Sequence, residues 1–358
     1  MDIDVSIDSL FGCMSSWERL AASKKPVCIY GTGDACERIL DQFKIHGIEC
    51  SGIFASDDFV RGGRKFRGFD VTDLAAQEKR FGDITVCCAF GSQLPDVMEH
   101  IDAIASKHEL IFPDLPVAGE EYFSREGLAG YSDELGLVYG MLADDRSRRV
   151  FLNVLCFRLT GDISLLHEVF SEQAEDISQL IVPRENDSYA DLGAYNGDTI
   201  EGFISLCPEY GHIYAFEPDV RSFRKCVQRH IQRDNISFIN ACAWDRDEML
   251  RFSQSAGRQS KITDDGKIAA ARSLDSVLCG KRCDIIKLDV EGAEREALIG
   301  SSDTIKKYSP RLIVSAYHRP YDLITLPMLI NELGSYDFYL RQPPYYPAWD
   351  TCIYAVPK

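Results

Sequence analysis

Short apolar runs and helix-spaced apolar positions alternate in two separate stretches of this chain, and the stretch between them carries helical spacing alone. In the first, Val27–Tyr30 predicts a strand, Gly31 and Gly33 a turn, and Ala35, Ile39 and Phe43 one face of a helix. Further strands are predicted at Glu49–Phe54, which leads to Asp57 and Asp58, at Ile84–Ala89 and at Glu109–Phe112, with a helix over Leu94–Ser106. A helix over Asp8–Ala22 precedes them. Between Leu115 and Val182 the strand signals vanish and helical periodicity takes over, most clearly in RSRRVFLNVLCFRL, with Pro183 as punctuation. From Ser188 onward, strands are predicted at 188–192, 212–216, 236–240, 284–288 and 311–316, with helices between them. The last two runs, Tyr336–Leu340 and Cys352–Ala355, are joined by QPPYYPAWDT, too short for a crossover helix, so they should pair antiparallel. The pattern therefore predicts an α/β chain: a helix in 1–24, a small α/β domain in 25–115, a helical connector in 116–183, and a domain in 184–358. That last domain should hold a seven-stranded sheet, mostly parallel with one antiparallel strand.

Candidate chemistry concentrates at YADLGAYNGDT, residues 189–199. An Asp near the end of a strand, followed at once by a glycine turn and a helix over Gly197–Leu206, lies where open α/β sheets bind ligands. Gly193 and Gly197 would let a ligand approach bare backbone. The spacing DxGxxxG differs from the GxGxxG dinucleotide fingerprint. The next strand ends in Glu217, whose carboxylate can accept hydrogen bonds from both hydroxyls of a ribose. Together these features suggest S-adenosylmethionine better than NAD.

Composition narrows the partners. A chain of 358 residues with 45% apolar content can bury more than one core. Its formal net charge of −17 argues against nucleic acid or anionic membrane as a partner, because such binding rests on clustered Lys and Arg. No apolar run is long enough to span a bilayer, and the acidic start MDIDVSIDSLF is unlike a signal peptide, so a cytoplasmic location is expected. The 13 cysteines are scattered without metal-type spacing and read as buried reduced thiols.

The blocks DLGAYNGDT (191–199), YAFEPD (214–219), SLDSVL (273–278) and IIKLDVEGAE (285–294) resemble those of the FkbM-type S-adenosylmethionine-dependent methyltransferases. The tail LIVSAYHRPYDLITLP (312–327), YDFYLR (336–341) and the connector motif LTGD (159–162) are similar to the bacterial branch of that family. The resemblance implies a Rossmann-like methyltransferase sheet, and O-methylation of a sugar or related small polar metabolite. It covers about the last two hundred residues, while 25–115 is only generically similar to a Rossmann-type domain. The family's usual Asn after Gly-Ala is Tyr195 here, with Asn196 following.

In that frame Asp191, Gly193, Ala194, Asn196 and Gly197 are expected around the amino-acid end of the cofactor, although Asp191 also suits a turn or helix cap. Ala243 and Trp244 follow the third strand, where the adenine would lie, with Asp245 near its exocyclic amine; a Trp there equally suits a core. Ser260, Lys261 and Ile262 read as a polar loop able to close over the site, or simply a solvated one. Asp289 ends the fourth strand on the same side as Lys287 and is the first candidate for general base, with His318 second. A divalent metal on Asp289, Glu291 and His318 is an alternative, as are bland roles: Glu291 and Glu294 at the next helix's amino end, His318 in a loop bond.

In the first domain GTGDAC has Cys36 where GxGxxG has its third glycine, leaving a weak signal for a nucleotide or nucleotide-sugar at Gly31, Gly33 and Asp57. A nucleotide-binding protein with an inactive methyltransferase domain, or an oxidoreductase resting on the first domain, are the competing readings. Intact Asp191, Glu217 and Asp289 argue against the former. Tyr336, Tyr339, Tyr345 and Tyr346 motivate a homodimer.

Overall fold

The computed structural model describes residues 5–56, 60, 64–254, 260–262 and 267–358. The amino-terminal sheet contains β1 (Val27–Tyr30), β2 (Cys50–Phe54), β3 (Lys65–Phe66), β4 (Phe69–Thr72), β5 (Thr85–Cys88) and β6 (Glu109–Ile111), in the order β3-β4-β2-β1-β5-β6. All neighbours are parallel except β3 and β4, a hairpin whose two-residue turn, Arg67 and Gly68, has both φ angles positive. Such turns match the twist of paired strands. A strand of two residues leaves no periodicity to detect, so the sequence did not disclose it. The helix expected over Asp8–Ala22 is two helices, Ile7–Gly12 and Ser16–Ala22. Ser15 and Glu18 form a capping box that starts the second anew.

The middle of the chain is helical, and its longest element, Asp145–Thr160, runs from an Asp144 cap to a left-handed Gly161. Every residue from Val150 to Thr160 is buried, so past its first turns this helix has no solvent face. It packs against a strand of the second sheet and shares one apolar core with both sheets: Tyr30 and Val86 from the first, Val154 and Phe157 from the helix, and Leu312 and Phe338 from the second all belong to it. Arg158, itself buried, chelates Asp114 (2.9 and 3.1 Å) and donates to the Pro320 carbonyl (2.9 Å). The connector is thus a packed layer.

The second sheet is built from β7 (Tyr189–Leu192), β8 (Ile213–Phe216), β9 (Ile236–Ile239), β14 (Ile285–Leu288), β15 (Arg311–Ser315), β16 (Tyr336–Arg341) and β17 (Cys352–Pro357), ordered β16-β17-β15-β14-β7-β8-β9. β17 runs antiparallel to both of its neighbours and the rest are parallel. It is the mixed seven-stranded sheet the sequence predicts. Between β9 and β14 the sequence showed no strands, yet β10 (Cys242–Ala243), β11 (Glu248–Gln254), β12 (Ser260–Ile262) and β13 (Lys267–Arg272) form a separate four-stranded sheet. Ser260–Ile262, expected as a loop, pairs antiparallel with β11. The chain steps outward from β7 to β9 and then returns to β14 on the other side of β7. That reversal opens a crevice above the carboxyl ends of β7 and β14.

Candidate active site

The turn after β7 is fastened to the turn after β8. Gly193 and Ala194 both donate their N–H to the Phe216 carbonyl (3.1 and 2.8 Å). Glu217 accepts from Tyr195 N–H through one oxygen (2.9 Å) and Asp219 N–H through the other (2.7 Å). Burial pushes the Glu217 carboxyl up to about 7, against the pull of those two N–H groups. Gly193 (φ +98°) and Gly197 (φ +85°) are left-handed, and a Cβ on Gly193 would lie 1.9 Å from the Asp289 carbonyl oxygen. Glycine is required there by conformation and by space together. Gly197 lies against His230, whose Nε2 is 2.9 Å from the Gly197 carbonyl.

Several expected cofactor contacts turn out otherwise. Asp191 is fully buried, with one oxygen 3.3 Å from Lys287 Nζ and the other bonded to the Thr199 hydroxyl. It pins the floor of the crevice and does not line it. Ala194 is packed into the core. Asn196 turns its Oδ1 inward, while the side chain facing the crevice is that of Tyr195, 41% exposed at a strained φ of +46°. Ala243 lines the crevice. Trp244 does not; its indole donates to Glu248 (3.0 Å) inside the small sheet. Asp245 holds Arg246 (3.3 Å). Burial and hydrogen-bond partners decided these cases, and neither is visible in strand-end position.

The other half of the crevice is built by the loops after β14 and β15. Asp289 faces it from between Lys287 Nζ (3.8 Å) and His318 Nε2 (3.7 Å). His318 is fully buried, with Nδ1 2.9 Å from Glu294 and Nε2 3.4 Å from Glu291. Burial alone would lower its pKa, but Glu294, Glu291 and Asp289 outweigh it and hold the imidazole well above its ordinary value. His318, the second candidate for general base, is buried behind Asp289 and is not among the residues that line the crevice. Glu294 also accepts from the Val290 and Gly292 N–H groups, which explains its burial as a loop clamp. Asp289, Glu294 and His318 could each turn one ligand atom into a sphere of 4.8 Å. A divalent ion there would have to displace the proton on His318.

These two halves form one continuous cleft of about 1260 Å³. That exceeds the roughly 300–1,000 Å³ that one drug-sized ligand fills, leaving room for a second. Its wall includes Gln93, from just beyond β5, and Ala118–Glu120 from the start of the connector. Sequence reasoning missed them, since both lie far along the chain from the glycine turn and carry no motif. The first-domain site is only partly described: Asp57 and Asp58 lie outside the described residues, and Gly31 (φ +121°) stands 3.1 Å from Phe90 when a Cβ is built on it. Three of the four tail tyrosines, Tyr336, Tyr345 and Tyr346, are buried within the chain and Tyr339 is half-buried, so they form no exposed aromatic patch. No described helix is long and apolar enough to cross a membrane.

A mostly parallel seven-stranded sheet with one reversed strand and a crevice at its switch point is the Rossmann-like fold of a methyltransferase. Residues 191–339, most of the carboxyl-terminal domain, match the family model described as the methyltransferase FkbM domain. A crystal structure of a methyltransferase FkbM from Methylobacillus flagellatus KT superposes on 98% of this chain and 96% of its own, with a TM-score of 0.72 at 20% identity. The whole architecture, first domain included, is therefore shared. A 2-O-methyltransferase NoeI from Sinorhizobium fredii (strain NBRC 101917 / NGR234) is 27% identical over 153 residues, covering 36% of this chain and 61% of the relative. The chain thus spans about three-fifths of that relative's length.

Proposed function

We propose that this methyltransferase takes its methyl group from S-adenosylmethionine and places it on a hydroxyl of a sugar or a related small polar metabolite. The observation that carries the reading is Glu217: a carboxylate at the end of β8 that lines, with Gly193, a cleft large enough for two ligands, and that the Tyr195 and Asp219 N–H groups hold in place. That combination suits a ribose diol, and the name of the 2-O-methyltransferase relative supports an oxygen acceptor.

The sulfonium cofactor supplies an electrophilic methyl carbon when bound. The chain's own work is to hold the acceptor oxygen in line with that carbon and to keep water out. Lys287, largely buried and bridging Asp191 to Asp289, fixes the cofactor floor and the acceptor carboxylate relative to each other. Asp289 is placed to accept the hydroxyl proton as the new O–C bond forms. An aliphatic hydroxyl stays protonated at neutral pH and needs such a base in the transition state.

Glu217→Ala tests the reading. Losing a charge-assisted contact of about 1.5–3 kcal/mol should weaken binding of S-adenosylhomocysteine tenfold or more by calorimetry. Equal affinity in wild type and variant would remove Glu217 from the ribose.

A further inference from the structure

We propose that the amino-terminal region builds the acceptor site, with Gln93 and Glu120 reading a polyhydroxyl acceptor that carries no anionic group: a neutral or amine-bearing sugar, not a phosphorylated or nucleotide-linked one. This rests on the methyl-transfer reading above and names its substrate class.

Three observations carry it. The cleft is lined by Glu217, Gly193 and Asp289 and also by Gln93, Ala118, Gly119 and Glu120 of the amino-terminal region. That wall is fastened to the catalytic loops: Ala118 donates its N–H to the His318 carbonyl (3.1 Å), and a Cβ on Gly292 would come within 2.5 Å of Ala118 Cβ. The far side is equally tied, because Ser92 and Tyr346 exchange backbone hydrogen bonds (2.7 and 3.0 Å) and Trp349 covers Gly91. Gln93 and Glu120 are thus exposed side chains on tied segments that line the same cleft as Asp289.

The electrostatics select the ligand. Glu120, Asp289, Glu291 and Asp350 line this half. Asp289, Asp350 and Glu291 converge on Tyr317, whose phenol burial and these carboxylates together push well up. Among the described residues that line the whole cleft, the cations Arg221, Lys287 and Arg319 are outnumbered by the carboxylates of Glu120, Asp198, Glu217, Asp219, Asp289, Glu291 and Asp350; Lys287 is held by Asp191 and Asp289, and Arg319 donates its Nε–H to the Gly292 carbonyl. A phosphate or carboxylate entering here would meet like charge, whereas hydroxyls find acceptors and an ammonium finds partners. The Tyr317 ring offers an apolar face to a sugar's C–H groups.

The test uses the full chain. Calorimetry with S-adenosylhomocysteine comes first; the loaded protein is then titrated with methyl glycosides, amino sugars and sugar 6-phosphates of matched gluco, galacto and manno configuration. Glycosides and amino sugars are expected to bind and the phosphates not. Glu120→Gln should weaken amino-sugar binding about tenfold, and Gln93→Ala should weaken both classes, with S-adenosylhomocysteine affinity held within about twofold in each. Failure of the wild type to bind S-adenosylhomocysteine overturns the methyl-transfer reading itself. If it binds but no glycoside follows, if phosphates bind as well as glycosides, or if the two variants act on the cofactor product instead, only the acceptor assignment falls.

Discussion

Both sheets of this chain follow a strand with a glycine turn and a helix, yet the two turns are held in different ways. After β7, Gly193 and Gly197 are both left-handed and pressed against a backbone oxygen and a buried imidazole. After β1, only Gly31 is left-handed; Gly33 is extended (φ −96°) and faces open space, although it leaves the helix Asp34–His46 without a side-chain cap just as Gly197 leaves its own helix. The edges also differ. The carboxyl edge of the second sheet opens into the cleft, while next to β5 the first sheet's edge meets the tail segment around Tyr346 and Trp349. A strand-glycine-helix signature marks where a sheet can hold something, and the surrounding packing decides whether protein or ligand takes the place.

The sharpest break in that comparison comes from Gly193→Ala. It combines left-handed strain with overlap on the Asp289 carbonyl, each costing about 1–3 kcal/mol. A large drop in thermal midpoint and loss of S-adenosylhomocysteine binding are expected; an unchanged midpoint would mean that the two strand ends are not in contact.

Asp289→Asn comes next. The variant keeps the shape but cannot take a proton, so turnover should fall about a hundredfold with little change in cofactor affinity. If a metal held by Asp289 and His318 activates the hydroxyl instead, a chelator will abolish wild-type activity and added magnesium or manganese will restore it. Retention of full turnover on an identified acceptor would make Asp289 structural.

Glu217→Gln carries a pH signature. The carboxyl has an ordinary value of 4.5 and is raised to about 7 by burial. Between these values the native state holds the extra proton, so this residue's contribution to stability falls as pH rises, and the penalty is complete above about 7. The variant removes the penalty but loses one acceptor for a backbone N–H. A net gain of about 1–2 kcal/mol is expected at pH 8 and none at pH 4. A pH-independent change would place Glu217 in a wetter setting.

The smallest effect is Gly33→Ser, which should add a few tenths of a kcal/mol by capping the helix, about the Gly-to-Ser difference at such positions. Full-length protein titrated with NAD, NADP and UDP-sugars makes the same comparison from the ligand side. A nucleotide-dependent rise in thermal midpoint that Gly33→Ser abolishes would give the first turn a ligand after all.

The parallel strands at the centre of both large sheets were legible because each buries a short, continuous apolar run, and β17 was assignable as antiparallel from its connection length. The hairpin of β3 and β4 at the edge of the first sheet and the sheet of β10 to β13 escaped notice. β3 and β10 have two residues each, while the longer β11 and β13 carry charged residues such as Glu248, Arg251 and Lys267, so no apolar run announces them. Gly193, Glu217 and Asp289 could be singled out because a parallel strand's carboxyl end faces the crevice whatever lies around it. By itself, then, the sequence determined the order of strands and helices, the turn that needs glycine, and the carboxylates that stand at strand ends. Only the tertiary structure decided which of those groups meet the cleft. Asp191 is consumed by Lys287 and Thr199, and His318 is enclosed by three carboxylates from another loop. Gln93 and Glu120, far along the chain from the glycine turn, line the cleft in a fold whose two sheets share one core with the central helix. Burial and long-range charge depend on distances that close only when the chain has folded, and local spacing holds no record of them.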